Sequence, residues 1–460
     1  MSHIYLPILD RAHNGPFCTV KDWNFKVIPA KIAEKLRAYG IQKVYDPANL
    51  VNTDGGLADS FWRAGFDLAV DAGMLCQDTE RVIKVDEEEL REAVRTAPKE
   101  AVLGEGLDRV VMKSRQPGDG YPPVWCAPFG ITVSEELFIP LTQGIAQHRE
   151  VDIIEGPSLE TVFGKRVLAG TPFETLAARL QAQMHQEAVW RAGRPGIGFQ
   201  AVITSPTAYG QLGGYGIPGG YRPGNLALIL FPPELKTTYH AMHKVVHTLN
   251  CGGIIHAGTW SMIGGYAGGA EGAAVASIAC ALLNLLVHRS LTGYVGCMDI
   301  RYSGNCGREG IWTTSIGCQA LSRNTHILVM SGPNQVAGPC TEMLLYESAV
   351  SMICISASGA SYAVGPRSAG GRLTNYVSPL ECKFCGEVLK GSAGMKLGEA
   401  NEIAKVFIPR YEAKLAAPPD GKSFTECFDL KTLKPTKEWR EIYDKVKKEL
   451  VDFGVPLKPL

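Results

Sequence analysis

The sequence predicts a (β/α)8 barrel with helical extensions at both ends, and three observations predict it. Eight short apolar runs without polar alternation recur through the middle of the chain, and helical patterns separate most of them. The composition, 45% hydrophobic and 20% charged over 460 residues, is enough to bury a large core. Continuous apolar strands separated by helices belong to a parallel sheet covered on its outer face, and eight such units close a barrel.

Residues 1–120 read as a mainly helical extension packed on the barrel. Amphipathic patterns cover 29–39, ending before Gly40, then 60–72 and 87–96. The run 116–123 (QPGDGYPP) is turn chemistry and leads into a barrel spanning 121–380. Its strands are expected at 124–129, 151–155, 196–202, 226–231, 253–257, 294–300, 326–331 and 353–356. Helices are expected near 135–148, 172–191, 234–250, 270–290, 308–323 and 339–351. Residues 204–225 are too rich in Gly and Pro for a helix and read as a long loop over one end. A C-terminal extension, 381–460, is helical again, broken at 416–421 (AAPPDG) and closed by an amphipathic stretch at 439–453.

Charge and targeting signals narrow the function classes. The 46 basic residues balance 46 acidic ones, so no net field steers a polyanion and nucleic acid is not expected as a partner. The N-terminus lacks a basic segment followed by a long apolar one, which predicts a cytoplasmic protein. The longest uncharged apolar stretch, 272–287, falls short of the roughly 20 residues of a spanning helix and contains Ser277 and Asn284, so it reads as a core helix. Thirteen scattered cysteines suit a reducing compartment, and the lone CxxC at Cys382 and Cys385 has no second pair to complete a zinc site.

The stretch 192–200 (AGRPGIGFQ) is the leading site candidate. Upstream, Thr171, Pro172 and Glu174 have the pattern of an N-cap, a first-turn proline and a capping-box acid. Phe173, Leu176, Ala177, Leu180, Met184 and Ala188 then mark an inward apolar stripe until Gly193 and Pro195 end the helix. Gln200 stands alone as an amide within a buried strand, and a buried amide needs partners.

In a barrel, strand ends and the loops after them build the site. That places Glu155, Gln200, His256, Asp299, Asn334 and Gln335 toward one mouth. The glycine pairs at 213–214, 219–220, 264–265 and 268–269 permit close approach of a large flat ligand, or simply turn the chain. His240, His243 and His247 share a helix face, a geometry that one straight helix cannot converge on a single ion. Tyr209, Tyr215, Tyr221, Trp260 and Tyr266 are expected near the mouth, where their faces would cage a methylated ammonium or simply pack between loops. Neither GxSxG nor a phosphate-cradling GxxxxGK[ST] occurs.

Four strings carry a resemblance: 192–196 (AGRPG) with Gly198, 264–269 (GGYAGG) with Glu271, 337–343 (AGPCTEM) and 421–427 (GKSFTEC). In their order and spacing the chain resembles, almost end to end, the monomethylamine methyltransferase family of methanogenic archaea. The resemblance implies a cytoplasmic (β/α)8 enzyme assembled into homo-oligomers, described as hexamers. It implies transfer of a methyl group from an amine to the cobalt of a separate corrinoid protein. No cofactor is then tightly bound, and one mouth receives both a small methylated substrate and a corrinoid presented by the partner.

The resemblance also locates a departure. Where the family carries pyrrolysine, whose imine ring captures the amine, this chain has Gln200, which has no imine. An amber codon read as glutamine would leave the neighbouring positions unchanged. Instead Gly258 stands at the family's glutamate, and 225–228 replaces its acidic residues, while Asn334 and Gln335 retain an amide; Arg301, Arg308 and Glu309 also match. The chain is therefore identified as a pyrrolysine-free homologue acting on a donor other than monomethylamine. A quaternary amine fits, because its nitrogen departs neutral without an adduct and the protein supplies orientation and exclusion of water. On this reading Gln200, Asn334 and Gln335 are catalytic, and Tyr209, Tyr215, Tyr221, His256, Gly258, Trp260 and Tyr266 line the donor site. Two alternatives remain open: zinc on His256 with Cys297 or Asp299, activating an O- or S-methyl donor, and a non-catalytic relative that only binds the corrinoid protein.

Overall fold

The computed structural model describes residues 2–201 and 207–457. Eight parallel strands surround one axis: β1 Val124–Ala127, β2 Ile153–Ile154, β3 Gly198–Ala201, β4 Leu226–Leu230, β5 Ile254–Gly258, β6 Thr292–Tyr294, β7 Leu328–Ser331 and β8 Tyr362–Val364. Their order is β5-β4-β3-β2-β1-β8-β7-β6. A single backbone bond between strand-edge residues, Leu291 N to Ile255 O at 2.7 Å, draws β5 toward β6. Side chains complete that seam: Ser290 Oγ accepts from Ala257 N at 3.0 Å, and His256 Nδ1 bonds Thr292 Oγ1. A helix follows each strand: α1 Glu135–Ala146, α2 Pro172–Arg191, α3 Tyr209–Gly214, α4 Tyr239–Asn250, α5 Ala270–Val287, α6 Arg308–Asn324, α7 Glu342–Ala357 and α8 Pro379–Gly391.

Three expected elements are corrected. The eighth strand is Tyr362–Val364, and residues 353–356 lie within α7. A short apolar run does not distinguish strand from helix by periodicity; the Thr341 hydroxyl capping Leu344 N at 3.2 Å starts a helix that carries through it. The sixth expected strand divides, because β6 ends at Tyr294 while Cys297–Asp299 pairs with Ser261–Ile263 outside the barrel. The expected loop at 204–225 contains the short helix α3, and its first residues lie outside those described.

The inward face of α2 also differs from the apolar stripe. Ala177, Ala178, Gln181, His185 and Ala188 are buried, whereas Phe173 and Leu176 are 40% and 45% exposed. Small residues let α2 lie close to the barrel, and its polar inward groups find partners, as His185 Nδ1 does with the Tyr221 hydroxyl at 2.7 Å. Thr171 occupies the N-cap without a side-chain cap bond; Glu174 instead accepts from Gly170 N at 2.7 Å and Gly210 N at 2.9 Å, tying α2 to α3.

The extensions close the rest. Helix Gly55–Ala72 packs along α5 and α6, with Gly65 so close to Ile278 that a Cβ there would collide with it. Among the described residues α5 is the one helix long and apolar enough to cross a membrane, and it is packed inside the fold. An antiparallel hairpin, Glu100–Leu103 with Val110–Lys113, caps the end of the barrel where the strands begin. Its Leu103 and Met112 join the interior cluster of Val124, Ile153, Leu226 and Leu328. The motif at 192–196 locks this end: Gly193 turns the chain at φ 72°, Arg194 Nε donates to Asp108 at 2.8 Å, and its Nη1 donates to Val151 O at 2.7 Å. Helices Leu397–Phe407 and Lys437–Asp452 of the C-terminal extension pack on α7.

Candidate functional site

All four residues of β3 are buried, and Gln200 is fully enclosed. Its Nε2 donates to Glu155 Oε2 at 2.9 Å from the end of β2, and its Oε1 accepts from the Tyr362 hydroxyl at 2.6 Å from β8. The amide thus links β3 to β2 and β8, the two strands that flank β1. The second carboxyl oxygen, Glu155 Oε1, is buried and has no protein partner among the described residues. Burial pushes the Glu155 carboxyl well above the usual carboxylate range, an effect that the Gln200 amide only partly offsets. A neutral acid with one free oxygen can donate a proton to a bound group or accept a bond from it.

His256 and Tyr294 extend this wall. The His256 ring lies edge-on to Tyr362 at 6.1 Å and to Tyr294 at 6.3 Å between centroids. Burial lowers its pKa to about 3, so the imidazole is neutral at any ordinary pH. Gly258 borders the Tyr294 ring, where a Cβ would stand 2.8 Å from the Tyr294 Cγ. Phe129, after β1, packs against Trp260, after β5, at 5.7 Å. Phe129, Tyr294 and Tyr362 belong to the interior cluster, with Trp260 packed against it.

Beyond β8 lies Arg367. Its backbone N donates to Gln335 Oε1 at 3.0 Å, and Gln335 Nε2 donates to Ser348 Oγ at 2.9 Å. These bonds occupy both ends of the Gln335 amide and tie it to the loop after β8. Glu347 clamps the same region, accepting from Val336 N and Ala337 N at 3.1 Å each. Asn334 is fixed by its backbone N to Asn305 Oδ1 at 2.7 Å, while its own Oδ1 is buried without a partner among the described residues.

The expected tyrosine cage does not assemble. Tyr215 is buried with its hydroxyl donating to Pro223 O and Asn225 O at 3.0 and 2.8 Å, and Tyr221 is held by His185. Tyr209 is 47% exposed on α3, and Tyr266 packs on Phe25 at 5.1 Å. The turn chemistry that brings these rings together in sequence is satisfied by sending them into separate packing sites.

The alternative zinc ligands also stay apart in function. Cys297 Sγ contacts Gly310 O at 3.5 Å, and Asp299 receives the Arg301 backbone N and Nε at 2.9 and 2.8 Å. Among the described residues no group of three or more His, Cys, Asp or Glu is arranged to hold a metal. His247 Nε2 bonds Tyr215 O at 2.8 Å, and Cys382 and Cys385 are buried free thiols on α8. The matching residues Arg301, Arg308 and Glu309 serve ion pairs: Arg301 with Glu309 at 2.8 Å and Arg308 with Glu412 at 2.6 Å.

Sequence reading missed Tyr362, Tyr294 and Arg367. The first and last were hidden by the misplaced eighth strand; the string 361–367 (SYAVGPR), after a glycine at φ 88°, was the available signal. Tyr294 stood at the start of an expected strand but drew no role, because a lone aromatic there reads as packing.

Comparison with known proteins identifies the family. A family model described as monomethylamine methyltransferase MtmB matches residues 4–455. The chain is 34% identical over 448 residues to the monomethylamine methyltransferase MtmB of Methanosarcina mazei, covering 97% of each. It is 33% identical over 452 residues to MtmB3 of Methanosarcina barkeri, again covering 97% of each. The crystal structure of the Methanosarcina barkeri monomethylamine methyltransferase superposes with a TM-score of 0.94 at 32% identity, covering 98% of both chains. The crystal structure of a hydroxylamine MtmB complex gives the same values.

Proposed function

Because the chain belongs to the monomethylamine methyltransferase MtmB family, we propose that it transfers a methyl group from a small methylated ammonium other than monomethylamine to the cobalt of a corrinoid carried by a separate protein. The observation that carries this reading is Gln200, held between Glu155 and Tyr362 inside the barrel. An amide offers no electrophile to capture a primary amine. It does offer fixed polar groups in a water-excluded wall.

The displacement needs little else. An electron pair from cobalt(I) forms the bond to the methyl carbon, and the pair of the breaking C–N bond stays on nitrogen, which leaves neutral. The wall of Tyr294, Tyr362, His256, Phe129 and Trp260 excludes water and presents ring faces to a substituted ammonium. Gln200 holds Glu155 in place, and the free Glu155 oxygen accepts from an N–H wherever the donor nitrogen carries one. At the rim, Gly264 and Gly268 sit at φ 84° and 82°, and a Cβ on Gly268 would meet open space. Such a rim suits the approach of a flat macrocycle by its backbone.

The proposal extends to assembly into homo-oligomers, with the hexamer as the expected form. Exposed Phe173, Leu176, Tyr209 and Leu212 offer apolar surface for such contacts, and sedimentation velocity measures the assembly.

The test mixes the protein with its reduced corrinoid partner and a panel of methylated amines, ethers and thioethers, following methyl-cobalt absorbance. Turnover of a substituted amine is expected. A response to monomethylamine alone would overturn the reading.

A further inference from the structure

We infer that Arg367 is a carboxylate-binding subsite for the methyl donor, so that the donor is an N-methylated amino acid carrying both an ammonium and a carboxylate. This deepens the methyl-transfer reading and rests on it for the word donor.

Three observations converge. First, the Arg367 guanidinium has no carboxylate partner among the described residues, and its Nη1 is buried with no hydrogen-bond partner there. A buried cationic donor left unsatisfied is costly unless a ligand completes it. Second, the residue is aimed rather than loose. It follows β8 by three positions, its backbone is held by Gln335, and its Nε lies beside Gly371, where a Cβ would stand only 3.1 Å away. Third, it shares the barrel mouth with the Gln200 network. The Tyr294 hydroxyl lies within electrostatic reach of both Arg367 and Glu155, and Tyr362, which holds Gln200, begins β8, the strand whose trailing loop carries Arg367.

Charge balance selects the ligand class. A simple methylammonium entering this mouth would meet an unpaired guanidinium of its own sign. Glu155 is held in its neutral form by burial, and Asp299 is committed to Arg301, so neither provides a counter-charge. A zwitterionic donor brings the missing charge itself. Its carboxylate meets Arg367, and its methylated nitrogen remains among the rings. A dianionic phosphate would need more than the one cation, so a carboxylate, which a guanidinium matches in shape and charge, is the fitting anion.

Isothermal titration of the full chain, without corrinoid protein, tests the subsite with paired probes. These are N-methylglycine, N,N-dimethylglycine and N,N,N-trimethylglycine against N-methylethylamine, N,N-dimethylethylamine and ethyltrimethylammonium. At least one acid is expected to bind at least tenfold tighter than its paired amine. Arg367→Met should weaken that acid at least tenfold and bring the ratio toward one, with Arg367→Lys intermediate; circular dichroism melts verify that each variant is folded. Equal binding within every pair, or equal weakening of both members by Arg367→Met, would overturn the inference.

Methyl-cobalt assays separate the two readings. Preferential binding of acids with no methyl-cobalt from any donor leaves the subsite standing and removes methyl transfer. Equal methyl-cobalt formation from acids and amines does the reverse. If Arg367→Met raises half-saturation for the corrinoid protein and not for the donor, the guanidinium serves an anionic group of that partner, and the inference fails.

Discussion

The Tyr362 hydroxyl donates to the Gln200 carbonyl across the barrel, from β8 to β3, at 2.6 Å. Both groups are fully buried, so neither has water to fall back on. Tyr362→Phe leaves the carbonyl unpaired while keeping the ring. Chemical denaturation is expected to show a loss of about 1–3 kcal/mol, the cost of a buried unsatisfied acceptor. A loss near zero would mean that the amide rotates to another partner.

Glu347 gives a pH signature. Burial raises its pKa from 4.5 to about 8 despite two backbone N–H donors. The folded state therefore holds a proton that the unfolded chain releases, and stability contributed by this group falls as pH rises from about 4.5 to about 8, then levels off. Glu347→Gln removes the titration. Melting temperature measured across pH 5 to 9 should decline less steeply in the variant; an unchanged slope would remove Glu347 as a source.

At the closed end of the barrel, Arg194 and Asp108 form a pair with side chains 6% and 7% exposed. Arg194→Met strips Asp108 of its buried cation and removes the guanidinium donor from the Val151 carbonyl. Urea unfolding should register a loss of about 3–5 kcal/mol. A loss below about 1 kcal/mol would show that Arg149, which also reaches Asp108 at 3.4 Å, takes over.

Gly258 leaves room for the Tyr294 ring. Gly258→Ala places a Cβ 2.8 Å from the ring carbon Cγ and forces the ring aside. Overpacking of this kind costs about 1–3 kcal/mol in thermal or chemical denaturation. The half-saturation of any methylated donor should rise with it, and a variant with wild-type stability and half-saturation would dissociate Gly258 from the site.

The barrel was legible because its cause is local: an apolar run bounded by Gly or Pro, then a helix, repeated. It failed at 353–356, where helix and buried strand give the same apolar run and only the cap at Thr341 decides. Gln200 was legible as a lone amide in an apolar segment, and Glu155 as an acid at a strand end. Their contact with Tyr362 was not, since barrel closure brings together residues 162 positions apart. The tyrosines misled for the opposite reason. Nearness in sequence put Tyr209, Tyr215 and Tyr221 together, but each ring was claimed by a different neighbour.

The seam between β5 and β6 gives the barrel a lap joint. One backbone bond and a few side-chain bonds cross it, far less than a full ladder of strand pairing. The rim segments beginning at Thr259 and Val295 spring from the two sides of that joint. Just past the joint, Ser261–Ile263 and Cys297–Asp299 pair in parallel, so the two rim segments rise from the seam as one riveted flap, with the clasp of Gln200 by Glu155 and Tyr362 on the far side of the cylinder.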